Sequence, residues 1–295
     1  MTRPERPGRR PALWRAPALL ALARALVLTP VLALALGAPL AGCDRAQILA
    51  DDLADARAAV AERDWPLAAR LLERYLREEK PADRYGAGAE GRWEAWQLLL
   101  QVLNSASPES RASLEVLAAM RAEYEDDDMR MADILERMGL ACESLRRYGQ
   151  AAEAWSAYTG LAGIGGARRV EGFRHLAAMQ FSQRRFEAGE ESLAQCLALP
   201  LPDHDKVRCM LDLADQNMAR ERWQEVADLC QQILDSGPDT EVRGLAGYLL
   251  ADALEQLGRP AEALRQFEQA RDAYPNPAVM DNRIAHLRKT LKNAP

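Results

Sequence analysis

A chain of 295 residues with 48% apolar but only 6% aromatic residues has room for one large or two ordinary domains, and four Phe with seven Tyr are few for a β-rich core. The net charge of −6 is unevenly spread: residues 1–42 carry six arginines against Glu5, which is +5, so the remainder holds −6 − 5 = −11. An acidic body argues against nucleic acid, which needs clustered Lys and Arg, and fits a helical domain with a charged, solvated face.

The chain opens with Arg3, Arg6, Arg9, Arg10, Arg15 and Arg24, followed by an apolar run over residues 25–36 and then by Leu40, Ala41, Gly42 and Cys43. A basic start, a short apolar core and small residues before a cut form the layout of a secretory signal. The run is interrupted by Pro30 and is shorter than the roughly 20 residues of a membrane span. Leu40-Ala41-Gly42-Cys43 resembles the bacterial lipobox. That resemblance implies lipid on the Cys43 thiol, removal of residues 1–42, and a lipidated tether over 43–48. Position, flanks and residue types favour it over an uncleaved signal anchor. Several acyl chains would hold the protein at a bilayer, since each buried CH2 contributes about 0.8 kcal/mol. Asp44 resembles the signal that keeps enteric lipoproteins in the inner membrane, so a periplasm-facing anchor there is preferred over the outer membrane.

From residue 49 the apolar residues recur at spacings of three and four, which places them on single helical faces. Six helix–turn–helix units are predicted, near 49–81, 93–124, 132–163, 170–203, 207–240 and 244–277, with a final helix over 278–295 to cap the stack. In the first, Ala54, Ala56 and Ala59 precede Trp65, Ala68, Leu72 and Tyr75. Residues 81–92, rich in Pro and Gly, read as an inserted loop. The second unit is the weakest, with Trp96, Leu99, Leu100 and Leu103 followed by Ala112, Val116 and Ala119. The third carries Leu135, Met138, Gly139 and Cys142, then Tyr148, Ala151, Trp155 and Tyr158, with Trp155 filling the gap between helices. Phe186, Trp223 and Pro260 then stand at one point after each turn, 37 residues apart both times. Gly189 and Val226 stand where a small Ala is expected, and Gln180 and Asn217 where a large apolar residue is expected.

The sixth unit is the clearest: Gly247, Leu250, Ala251 and Leu254 form one stripe, Ala263, Phe267 and Ala270 the next, and Pro275 ends it. This resembles the tetratricopeptide repeat (TPR), a helical hairpin of about 34 residues. The resemblance covers roughly residues 49–277 and implies an all-α, TPR-like α-solenoid behind a lipoprotein signal peptide. Such hairpins cannot bury their stripes alone and must stack. It also implies binding of a partner segment along the first helices. The residues one position off the packing stripes there are Arg174, Phe181, Arg208, Leu211, Asp215, Met218, Tyr248 and Asp252. Two arginines among them suit a partner that brings a carboxylate and an apolar anchor.

Catalysis finds no foothold in the sequence. His175, His204 and His286 stand apart without metal-ligand spacing, and Gly163–Gly166 lacks the strand and Lys of a phosphate loop. The acidic run 123–128, interrupted by Tyr124, reads as a solvated loop. No cofactor, metal or small-molecule substrate is expected. Cys196 ends one second helix and Cys209 opens the next first helix, which leaves open whether they form a disulfide. The function expected is a non-catalytic, lipid-anchored scaffold for unidentified envelope proteins. The alternatives are a component of outer-membrane protein assembly, resembling the TPR lipoprotein of that machine, and a TPR lipoprotein of polysaccharide export.

Overall fold

The structure, a computed structural model, describes residues 40–78, 86–106 and 111–293. Its described residues are helical, without strands: α1 (Leu40–Ala61), α2 (Trp65–Arg77), α3 (Ala87–Ala106), α4 (Arg111–Glu123), α5 (Asp128–Ser144), α6 (Tyr148–Gly160), α7 (Gly166–Ser182), α8 (Phe186–Leu197), α9 (Asp203–Ala219), α10 (Trp223–Asp235), α11 (Thr240–Gln256), α12 (Pro260–Ala270) and α13 (Pro277–Asn293). The chain divides into Met1–Gln47 and Ile48–Pro295, and α2–α13 with most of α1 lie in the second. There the helices pack in chain order. Among the odd-numbered helices, α9 also touches both α7 and α11 directly, as the first helices of stacked hairpins. The expected signal segment, residues 1–39, lies outside the described residues.

The turns explain why each hairpin closes in the same way. Arg63, Arg146, Arg184, Glu221 and Gly258 all have left-handed backbone, with φ between 55° and 75°. At each, the next residue's N–H reaches back five residues: Asp64 to Ala59, Arg147 to Cys142, Arg185 to Gln180, Arg222 to Asn217 and Arg259 to Leu254, at 2.7–3.0 Å. The left-handed residue itself bonds three residues back, to Val60, Glu143, Phe181, Met218 and Glu255. This Schellman pattern satisfies carbonyls that a helix end otherwise leaves bare. The second helix then starts at once, on Trp65, Tyr148, Phe186, Trp223 or Pro260.

Packing within the hairpins rests on close approach at small residues. A Cβ on Gly139 would stand 2.4 Å from the indole of Trp155, which is buried at 2% exposure in the core of α5–α7. In α11 a Cβ on Gly244 would meet the Ala273 carbonyl at 2.3 Å, so backbone lies on backbone there. The unexpected residues of the sequence have partners. Gln180 accepts a bond from the Ser192 hydroxyl at 2.7 Å, and the buried Asn217 accepts from Arg222. Val226, in the place of a small Ala, is fully buried in the C-terminal core.

Several local readings change. Gly88 and Gly91 lie inside α3 rather than in a loop over 81–92; Gly91 stands where a Cβ would lie 2.9 Å from the Tyr75 hydroxyl, so the close approach of α2 to α3 calls for a glycine there. In α4 the buried face is Ser113, Leu117 and Met120, one residue off the Ala112, Val116 and Ala119 stripe, since the larger side chains take the interior. The acidic run is not a loop throughout: Glu123 ends α4 and Asp127 caps α5, accepting from the Arg130 N–H. Glu123 also holds the buried Arg92, whose guanidinium donates to the carbonyls of Leu76 and Glu78 and so ties α2, α3 and α4 together. Ala263, Phe267 and Ala270 on α12 are buried where the spacing put them, whereas Ala54 of the expected α1 stripe is exposed, because Leu53, Ala56 and Ala59 form the buried face there.

Candidate functional site

All eight candidate groove residues lie on first helices: Arg174 and Phe181 on α7, Arg208, Leu211, Asp215 and Met218 on α9, Tyr248 and Asp252 on α11. Three of them, Arg174, Phe181 and Asp215, line one open cleft of about 510 Å³ between α7 and α9. That volume suits a side chain or short peptide segment. Leu211, Met218 and Tyr248 are half-buried against the C-terminal core, and Tyr248 stacks on Tyr274 with ring centres 4.9 Å apart. Asp252 is bound by Arg283 of α13, and exposed Arg208 lies 4.0 Å from Asp239.

The electrostatics of this face differ from the expectation. Arg174, offered by the sequence to a partner's carboxylate, is occupied: its Nε donates to Asp212 at 2.6 Å and its Nη1 to Glu171 at 2.9 Å. Similar ties recur along the first helices. Arg168 of α7 donates to Asp133 at 3.1 Å and Glu136 at 2.7 Å on α5, and to the Tyr158 hydroxyl. Arg283 of α13 holds both Asp252 and Glu255 on α11. Neither Arg168 nor Arg283 was singled out in the sequence. The trace they leave there is a pair of carboxylates three residues apart, Asp133 and Glu136 on α5 and Asp252 and Glu255 on α11.

Asp215 stands apart from this pattern. Among the described residues it has no hydrogen bond or ion pair. It is exposed, yet the surrounding chain removes enough water, and Asp212 adds enough negative charge, to hold its carboxyl above the ordinary range. Phe181 borders the cleft from the other side while its ring covers Gly189 of α8, where a Cβ would lie 2.4 Å from Cε1. At the back, His175 stacks on Trp155 at 4.4 Å and meets Glu143 through Nδ1 at 2.9 Å; the Trp155 indole N–H donates to the same carboxylate oxygen. His175 is thereby a structural side chain beneath the cleft.

Cys196 and Cys209 are bonded to each other, joining α8 to α9 with Cα atoms 6.4 Å apart. Cys142 and Cys230 are buried free thiols, and burial pushes that of Cys230 up to about 12, which suits packing rather than reactivity. Among the described residues there is no group of three His, Cys, Asp or Glu able to hold a metal, and no helix long and apolar enough to cross a membrane. Leu40, Ala41, Gly42 and Cys43 fall in the first turns of α1.

The family model of the tetratricopeptide repeat matches residues 244–287, which span the greater part of α11, all of α12 and the greater part of α13. No curated protein matches the chain.

Proposed function

We propose that this chain, with a tetratricopeptide repeat at residues 244–287 at the end of a stack of similar hairpins, is a non-catalytic adaptor of the bacterial cell envelope that holds a segment of another protein along its first helices. The observation that carries this reading is the α7–α9 cleft: a preformed, open depression on the first-helix face, lined by charge and one aromatic ring. Rigid helices hold that face before any partner arrives, so little ordering is needed on binding. Lipid on Cys43 anchors the protein, with the inner membrane favoured by Asp44. The bonded pair Cys196–Cys209 supports an oxidising compartment by an argument independent of residues 1–43.

Two measurements test this. Globomycin treatment should leave a larger, unprocessed form on a gel, and Cys43→Ser should abolish labelling by radioactive palmitate; unchanged processing and labelling would remove the anchor. For the binding face, a photo-crosslinking residue at Ala178, which lines the cleft, should capture a discrete envelope protein in living cells. The same residue at the exposed Ala194 on α8 should not. Equal capture at both positions would count against the first-helix face.

A further inference from the structure

We propose that the α7–α9 cleft receives an arginine side chain from the partner segment, whose guanidinium completes the ion pairing that Asp215 lacks. This deepens the adaptor reading and rests on it. On the first helices α5, α9 and α11 carboxylate pairs stand with a spacing of three residues: Asp133 and Glu136, Asp212 and Asp215, Asp252 and Glu255. In the first pair both members share Arg168, and in the third both share Arg283. Only in the middle pair is the account incomplete, because Arg174 reaches Asp212 from α7 and also serves Glu171.

The open space is at the same place. The cleft runs beside Asp215 and is bordered by Asp212, Glu171 and Gln216, with Phe181 on the facing helix. Three carboxylates there stand against the single guanidinium of Arg174, while His175 is turned to Glu143. An incoming cation therefore meets an excess of negative charge and an aromatic ring, and the ring favours a flat guanidinium through its π face. A partner carboxylate would face repulsion at the same point. The molecule's own Arg168 and Arg283 show one guanidinium serving two carboxylates on a neighbouring helix.

The test is selection of a random dodecapeptide library on the full chain in lipid nanodiscs, with counter-selection on empty nanodiscs. Arginine should be enriched at one position of the recovered peptides. Replacing that arginine by citrulline, which keeps the shape without the charge, should weaken binding at least tenfold, as should Asp215→Asn in the protein. Asp215→Glu should retain binding, and Glu225→Gln on α10 should leave it unchanged. Peptides that map to the first-helix face but lack arginine, or ignore Asp215→Asn, would overturn this inference and leave the adaptor reading standing. Recovery of no peptide at that face would overturn both, and competition by lysine peptides equal to that of arginine peptides would overturn the guanidinium preference.

Discussion

The hairpins α7–α8 and α11–α12 reach one backbone form with different residues at its deciding points. In α11–α12 the left-handed turn is Gly258, the small residue of the second helix is Ala263, and Phe267 fills the interior from α12. In α7–α8 the turn is Arg184 at φ 59°, the small residue is Gly189, and the ring that covers it is Phe181, supplied by the first helix. Where α11 buries Leu254, α7 places Gln180 and satisfies it with Ser192. What the two hairpins share is filled volume and closed hydrogen bonds, while residue identity drifts. The family model matches the hairpin in which local preference and tertiary demand agree.

That comparison can be broken at its large side chains first. Phe267→Ala should cost about 3–5 kcal/mol in urea unfolding, since the ring is wholly buried; a loss below about 1 kcal/mol would mean that the α12 stripe is not the core. Cutting the Cys196–Cys209 link, which closes a separation of 13 residues, should remove about 3 kcal/mol, seen as a lower unfolding midpoint of Cys209→Ser. An unchanged midpoint would show that the link does not form in the native chain.

Smaller effects sharpen the contrast. Gly189→Ala copies the residue of α12, yet should destabilise by about 1–3 kcal/mol because Phe181 already occupies the space. In a Phe181→Leu background the same change should be close to neutral, and a full penalty there would refute the exchange of volumes. Arg184→Gly should stabilise by about 0.5–1 kcal/mol through relief of left-handed strain, whereas Gly258→Ala should cost about 1 kcal/mol. Opposite signs at equivalent turns are the diagnostic, read by thermal melts.

The smallest effect depends on pH. The Asp215 carboxyl is held above its ordinary value in the folded chain, so between those two values the native state keeps a proton that the unfolded state gives up. Stability contributed by this group therefore falls as pH rises through that window. Asp215→Asn should raise the melting temperature at neutral pH and leave it unchanged near about pH 3, where both forms are neutral. The reverse pattern would place a cation beside Asp215 in the free protein.

Much of the fold was legible residue by residue. The starts of α8, α10 and α12 at Phe186, Trp223 and Pro260 followed from their 37-residue spacing. Trp155 was recognisable as a gap-filler, though its glycine partner was not named as such. The register of α4 was missed because Ala112 and Ala119 satisfy a helical period as well as Ser113 and Met120 do, and only volume separates the two faces. Gly88 and Gly91 read as breakers because nothing in their own neighbourhood reports the Tyr75 hydroxyl pressing on α3. Of the candidate cleft, Arg174, Phe181 and Asp215 were found from their offset to the stripes, but the state of each was not.

The sequence alone determined the helical class and the hairpin period, because spacings of three and four residues, caps and turns act within one or two helical turns. The tertiary structure alone decided which charges remain open. Arg174 meets Asp212 across 38 residues and Arg283 meets Asp252 across 31, and those meetings depend on how one hairpin settles against the next. Local pattern sets where a side chain points; only the packed stack settles whether a partner is waiting for it, and among the described residues none waits at Asp215.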